Sequence, residues 1–284
     1  MKWDSPLFET QSLMPFTLSH AAAALPFRKF KPIWPALVIG TFAPDLHYFI
    51  MLSDEDRSGH HFPDLLLFTL PVALVTLWLF EWIVKGPLLE LLPSGVRGRL
   101  QAKVEPLNFW GWKRFGAIAF WIALGIATHL LWDQFTHSYS WLGGQWSFLL
   151  RASVPVPFLH PMPLVKVLQH GSTLVGFLIL CVWFIGWYAR TPPAPAAHLH
   201  EFSPFVKVAV VFTMVTIALL VGYPLAILKL ADHEQPLSRS VVIATFFVAM
   251  TLVFCIEFLI YGLAMTLAAR WRRMPAPQFD ETAR

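Results

Sequence analysis

FGAIAFWIALGIATHLLWDQFTH, residues 115–137, is a long apolar stretch that ends in a cluster of ionisable side chains. Its length and hydropathy predict a membrane-embedded helix whose last turns contain this cluster. Residues four apart lie on one face of a helix, so His129 and Asp133 point the same way, and His137 continues the stripe if the helix persists. Ionisable groups are costly to bury in hydrocarbon unless they are paired, solvated or bound to an ion. A metal ion is therefore the leading explanation for this cluster.

The composition is typical of an integral membrane protein. Of the 284 residues, 56% are hydrophobic and 13% are charged, and the mean hydropathy is +0.58. Many of the 13 Trp residues stand near the ends of apolar runs, as in the aromatic belts of membrane proteins. The net charge of +4 is not gathered in a polar domain, which argues against nucleic acid and favours membrane lipid as a partner. Cys181 and Cys255 both lie in apolar runs, which excludes a disulfide framework and a cysteine-ligated zinc site.

The apolar runs predict an all-α fold, a polytopic membrane helix bundle with about six transmembrane helices. The candidate runs are Trp34–Leu52, Asp64–Val84, Phe115–Phe135, Ser172–Tyr188, Phe205–Leu228 and Val241–Ala269. The first run is the weakest, because Pro44 should interrupt or restart a helix. The preceding run, Thr17–Pro26, is too short to span and is expected to be a re-entrant or interfacial helix.

These runs divide the chain into five parts. Residues 1–13 lack the charged start and apolar core of a signal peptide and are expected to be a flexible extension, with Met1 or Met14 as the true start. Residues 14–189 form a membrane domain that carries the His/Asp site, and residues 190–204 form a linker rich in Pro and Ala. Residues 205–270 add two transmembrane helices, and residues 271–284 are expected to be a disordered tail.

The distribution of Lys and Arg predicts an orientation in the inner (plasma) membrane. If the first run spans, the regions on the side of the N-terminus hold 16 of the 21 Lys and Arg residues. The positive-inside rule then places both termini in the cytoplasm and the His/Asp site at the outer face. His20 precedes the basic residue Arg28, so it joins the site only if His20–Trp34 forms a re-entrant hairpin or the charge rule fails locally.

Imidazole nitrogen and carboxylate oxygen are ligands of zinc and similar divalent ions, and a helix with His and Asp four apart offers two of them. Some of these residues also have ordinary alternatives. Asp45 is favoured at a helix start by the helix dipole, His61 suits a polar loop, and His137 or His170 could orient a ligand through its other ring nitrogen. The recurring candidates beside small or apolar residues are His20, Asp45, His60, His129 and Asp133.

Five short segments resemble a bacterial integral-membrane family of unknown function. They are MPFTLSH (14–20), APDLH (43–47), GH (59–60), THLLWDQFTH (128–137) and PLVKVLQHGS (163–172). This family is similar to inner-membrane metal-dependent hydrolases and, more remotely, to zinc-dependent phospholipase C. The resemblance runs from about Met14 to Gly176 and leaves out the part beyond about Tyr188.

The phospholipase pattern implies one or two divalent ions, with zinc as the expected metal. In this pattern Asp45 bridges two ions and His137 is a further ligand; the other implied ligands are His20, His60, His129 and Asp133. His47, His61 and His170 are possible further ligands or orienting partners. This sequence departs from the phospholipase pattern at His170, which is followed four residues later by Leu174 instead of Glu. The departure argues against a third metal ion.

Ligand pattern and resemblance together predict a metal-dependent hydrolase that acts on a phosphoester of a lipid or lipid-linked substrate. Metal would make a water nucleophilic at neutral pH, and Asp45 is the candidate general base. Two alternatives stay open, an ion or solute transporter with intramembrane ionisable residues and a metal-binding structural protein that has lost catalysis. Haem is disfavoured by the Asp residues between the His residues.

Overall fold

A computed structural model of the protein describes residues 17–30, 33–52, 63–101, 107–137, 144–146, 148, 151–156, 161–194, 202–231 and 239–273. The predicted ligand His60 and its neighbour His61 lie outside these ranges, as do the predicted N-terminal extension and residues 274–284 of the predicted tail.

The described chain is almost entirely helical, as predicted. Its α-helices are α1 (Trp34–Gly40), α2 (Leu46–Met51), α3 (Leu65–Leu91), α4 (Ser94–Gln101), α5 (Trp112–Thr136), α6 (Leu164–Arg190), α7 (Pro204–Ala231) and α8 (Arg239–Arg273). Helix α3 contains two π-helical turns, Leu65–Thr69 and Phe80–Val84. Two 3-10 segments, Thr17–Phe27 and Ala43–Asp45, flank α1. The strands β1 (Ser153–Val154) and β2 (Met162–Pro163) pair antiparallel.

Five of these helices are long and apolar enough to cross a membrane: α3, α5, α6, α7 and α8. The sequence predicts about six, and the difference is the run Trp34–Leu52. This run is divided into α1, the 3-10 segment around Pro44 and α2, each far shorter than the ~20 residues that a bilayer core requires. Proline lacks an N–H and its ring clashes with the preceding turn, which explains why the helix does not continue through Pro44.

Residues 17–45 form a hairpin that packs on α5 and α6. The first arm begins beside Gly176 of α6, and Phe27 and Phe30 near its end contact Trp121 of α5. Trp34 then starts the second arm, where its indole N–H donates to the carbonyl of Ala24 at 2.8 Å. Trp121 lies eight residues before His129, so the hairpin reaches about 12 Å below the level of His129 and returns. A hairpin of this kind is what the prediction for His20–Trp34 requires if His20 is to join the site.

One face of α5 is buried from Ile118 to Thr136. Ile118, Ile122 and Ile126 recur every four residues and pack in the apolar core with residues of α1 and α3. The same face continues through His129 and Asp133, which are also buried. The helix therefore points its ionisable residues inward because they share a stripe with its apolar residues.

Two glycines bring α1 against α5 just below His129. A Cβ atom on Gly125 would lie 2.7 Å from the Cα of Gly40 and even closer to the carbonyl oxygen of Leu37. A Cβ atom on Gly40 would in turn contact the carbonyl oxygen of Ile122. Small residues of this kind let helix backbones approach closely in membrane proteins. This contact positions the segment that follows α1, which includes Asp45.

We expect Gly125→Ala to destabilise the protein by roughly 1–3 kcal/mol, because the added Cβ overpacks the contact with α1. The matched control is Gly116→Ala on the same helix, where a Cβ meets nothing within 4 Å among the described residues. Alanine favours helix over glycine, so this control should raise stability by up to about 1 kcal/mol. Unfolding free energies in mixed detergent micelles measure both. Equal effects of the two substitutions would contradict the close contact.

Candidate metal centre

Three separate elements deliver buried ionisable side chains to one place. Helix α5 supplies His129 and Asp133, which are 1% and 5% exposed. The first arm of the hairpin supplies His20, which is 2% exposed, and the 3-10 segment after α1 supplies Asp45, which is 5% exposed. The hairpin therefore closes the inward face of α5 with one imidazole and one carboxylate.

His129 is the centre of this cluster. Its Nε2 atom lies 3.1 Å from Oδ2 of Asp133 and 3.5 Å from Oδ1 of Asp45. The ring of His20 stacks on the ring of His129 with centroids 4.1 Å apart, and Nε2 of His20 lies 3.9 Å from Oδ1 of Asp133. Ligand atoms of His20, His129 and Asp133 all lie within 4.8 Å of one another. This buried group could bind a metal ion.

The main chain fixes which nitrogen of His129 faces the carboxylates. Nδ1 of His129 lies 2.9 Å from the carbonyl oxygen of Thr41, which only accepts, so Nδ1 carries the proton of that hydrogen bond. In a neutral ring Nε2 then presents a lone pair to Asp133 and Asp45. Lone pairs that face each other in a buried site repel unless a proton or a metal ion lies between them. Metal-ligating histidines are commonly oriented by such a hydrogen bond from the other ring nitrogen.

The donor atoms also have the spacing of a coordination shell. Zinc binds imidazole nitrogen and carboxylate oxygen at about 2.0–2.2 Å in tetrahedral geometry, so its ligand atoms lie roughly 3.3–3.6 Å apart. The distances from Nε2 of His129 to the two carboxylates are 3.1 and 3.5 Å. The distance of 3.9 Å between His20 and Asp133 exceeds that range by a few tenths of an ångström. Ligand atoms of His20, His129 and Asp133 therefore fit a divalent ion with small side-chain shifts, and Asp45 lies beside them.

His20 has the protonation state that a ligand needs. Burial is the main cause that lowers the pKa of His20 from 6.5 to about 4, and the neighbouring His129 contributes to the same direction. The imidazole is therefore neutral at pH 7 and keeps a lone pair. Among the described residues, none forms a hydrogen bond with Nδ1 of His20.

His137 lies at the edge of the cluster. Its Nδ1 atom is 3.3 Å from Oδ1 of Asp133 and 3.0 Å from the hydroxyl of Thr136. On the other side of the ring, Nε2 lies 3.2 Å from the amide nitrogen of Gln169. Both ring nitrogens thus have protein partners, an arrangement that suits the orienting role predicted for His137 better than the role of a ligand.

The remaining candidates, His47 and His170, have other surroundings. His47 is buried two residues beyond Asp45, with its ring edge-on to Phe68 at 4.7 Å. His170 is half-buried on α6, and the contacts described for the cluster do not include it. Five of the six predicted ligands therefore meet at one place, and the sixth, His60, falls outside the described residues.

Sequence reasoning did not identify three residues that contact the cluster or extend it. Thr41 acts through its main-chain carbonyl, for which no side-chain pattern gives a signal. Gln169 and Lys166 lie on the first turns of α6, inside the segment PLVKVLQHGS that carries part of the resemblance. That signal could have found them, but the adjacent His170 was the more obvious candidate for metal chemistry.

Comparison with known proteins shows the family. Residues 14–266 match the family described as Domain of unknown function (DUF4184), and the chain belongs to this family. No curated protein and no solved structure matches the chain. The resemblance to a family of unknown function is thus confirmed, whereas similarity to hydrolases has no support from these comparisons. The expectation that the part beyond about Tyr188 lies outside the family is wrong, because the match includes α7 and most of α8.

We expect the purified protein to bind about one zinc ion per chain and His129→Ala to weaken this binding on the order of 100-fold, because it removes the imidazole that faces both carboxylates. The matched control is His170→Ala, which removes a half-buried imidazole outside the cluster. Elemental analysis after dialysis and titration with zinc measure both variants. Equal zinc content in the two variants would show that the cluster is not the site.

Proposed function

We propose that this protein is a metal-dependent hydrolase that acts on a phosphoester of a lipid or lipid-linked substrate at the outer face of the inner membrane. The main support for the proposal is that Nε2 of His129 faces two buried carboxylates. Such convergence of imidazole and carboxylate donors near a membrane surface is typical of a site for a hydrolytic metal.

The proposed ligands are His20, His129 and Asp133, with Asp45 beside them. A divalent ion held by these residues would polarise a phosphoryl oxygen and lower the pKa of a water. We assign Asp45 as the general base that takes the proton of the attacking water, because its Oδ1 atom lies 3.5 Å from His129 on the side opposite to the backbone partner Thr41. A second ion would require His60, as the phospholipase pattern implies.

An apolar groove supports a substrate with a hydrocarbon chain. It has a volume of about 450 Å³, and its lining residues are Ala23, Thr128, Leu131, Trp132, Phe135, Thr136, Leu168 and Ser172. Trp132 and Thr136 connect it to the cluster, because Trp132 lies edge-on to His20 and Thr136 contacts His137. Leu131, which lines the groove, is 62% exposed on a helix that is suited to cross the membrane. The groove therefore opens toward the hydrocarbon of the lipid bilayer. A lipid chain in this groove would bring its headgroup to the cluster.

The five helices also suggest a revised orientation. Five crossings place the two ends of the chain on opposite sides of the membrane, unlike the predicted six. The exposed basic residues Arg28 and Lys29 then lie at the deep tip of the hairpin, where long side chains can reach the inner surface. The site stays at the outer face in this arrangement.

We expect Asp45→Asn to lower the rate of phosphoester hydrolysis by about 100-fold or more, because loss of a general base costs that much. The assay uses vesicles that contain phosphatidic acid, phosphatidylglycerol or a polyprenyl diphosphate, with zinc present, and measures release of the phosphorylated headgroup or of phosphate. Asp64→Asn, a half-buried acid at the start of α3, serves as the control and should keep the wild-type rate.

The alternatives predict different results in the same vesicles. Zinc binding without hydrolysis of any of these lipids would identify a metal-binding protein that has lost catalysis. Zinc flux across the vesicle membrane without hydrolysis would identify a transporter. Either result would overturn the proposed hydrolase.

We expect Ser12→Cys and Arg151→Cys, each in a chain without Cys181 and Cys255, to react with an impermeant maleimide in right-side-out membrane vesicles. Ser203→Cys should react only after the vesicles are opened, because it follows α6 on the inner side. Protection of Ser12→Cys until opening would instead support six crossings with both termini in the cytoplasm.

A further inference from the structure

A chain of hydrogen bonds leads from the start of α6 to His137, whose ring lies beside Asp133. The ammonium group of Lys166 donates to Oε1 of Gln169 at 3.0 Å, and the amide nitrogen of Gln169 lies 3.2 Å from Nε2 of His137. Nδ1 of His137 lies 3.3 Å from Oδ1 of Asp133. Gln169 is 4% exposed, so its amide has little access to water and depends on these partners.

The direction of each hydrogen bond in this chain follows from its first member. An ammonium group only donates, so the oxygen of the Gln169 amide faces Lys166. The amide N–H therefore donates to Nε2 of His137, which must accept and carries no proton. The proton of a neutral His137 ring then resides on Nδ1, which donates to the hydroxyl of Thr136 and lies 3.3 Å from Oδ1 of Asp133. A flipped amide would set N–H groups against the ammonium group.

We infer that Gln169 is a positioning residue that fixes the tautomer of His137 and, through it, the orientation of Asp133. This inference deepens the proposed function and rests on it for the role of Asp133 as a metal ligand. The N–H side of the His137 ring attracts Oδ1 of Asp133 electrostatically at 3.3 Å, and Oδ2 is directed at Nε2 of His129. His137 therefore contacts the proposed ligand Asp133 and not the metal ion itself. Loss of such an orienting contact typically weakens metal binding by about 10- to 100-fold.

Gln169→Glu tests the direction of the hydrogen bond to His137 while keeping the shape of the side chain. A glutamate has nearly the same shape and still accepts from Lys166, but it cannot donate to His137. Nε2 of His137 then takes up a proton to donate to the glutamate. The control is Thr173→Val, which removes a hydroxyl that donates to the main-chain carbonyl of Gln169 and leaves the amide chain intact.

Nitrogen NMR of protein labelled with ¹⁵N-histidine, metal-free in detergent micelles, reads the tautomer directly. The signal of His137 is assigned by its loss in His137→Asn. We expect a protonated Nδ1 and an unprotonated Nε2 in the wild type and in Thr173→Val, and a protonated Nε2 in Gln169→Glu. A protonated Nε2 in the wild type, or an unchanged ring in Gln169→Glu, would overturn the inference.

Zinc titration of the same three proteins tests the consequence. Gln169→Glu should bind zinc about 10- to 100-fold more weakly than Thr173→Val. Equal zinc affinities of Gln169→Glu and Thr173→Val would contradict the positioning role of Gln169 even if the tautomer of His137 changes. The expected tautomers in a wild-type protein that binds no zinc would overturn the proposed metal centre while leaving the hydrogen-bond direction in place, so the two failures are distinguishable.

Discussion

Ionisable side chains inside a membrane helix must find partners within the protein, and this requirement organises the structure around His129 and Asp133. Both residues share the inward stripe of α5 with its isoleucines, so the helix cannot bury its apolar face without burying them too. Both side chains are buried, so their partners must come mainly from other parts of the protein. The hairpin of residues 17–45 meets this need, since its two arms bring His20 and Asp45 to the same level of α5.

The hairpin can do this because its second arm packs closely on α5 and its tip lies well below the level of His129. Gly40 and Gly125 let its second arm approach α5 at backbone distance, and the chain then turns at Pro44 so that Asp45 points back to His129. The tip of the hairpin stays about 12 Å deeper, near Trp121. A segment with this course has basic residues at its tip and metal-ligand candidates at its two upper ends. The same hairpin thus accounts for the basic residues at its tip and for the two metal-ligand candidates at its upper ends.

Local patterns in the sequence were sufficient for α5, because its apolar length and the spacing of His129 and Asp133 are properties of a single helix. They were sufficient as well for the break at Pro44. They could not decide whether Trp34–Leu52 crosses the membrane, because hydropathy measures length and polarity and not the direction in which the chain returns. The contact between Gln169 and His137 joins residues 32 positions apart on two helices. No spacing rule within one helix predicts such a pair, and only the packing of α5 against α6 creates it.

A divalent ion would balance the charges at the centre of the cluster. With Nδ1 of His129 committed to the carbonyl of Thr41, the space at Nε2 holds either a proton or a metal ion. A proton gives one positive ring against the carboxylates of Asp45 and Asp133, which leaves one negative charge in a buried site. Lys166 offsets little of this charge, because it is half-exposed and is separated from Asp133 by Gln169 and His137. A divalent ion with neutral imidazoles balances both carboxylates, and buried charge is tolerated best when it is matched in this way.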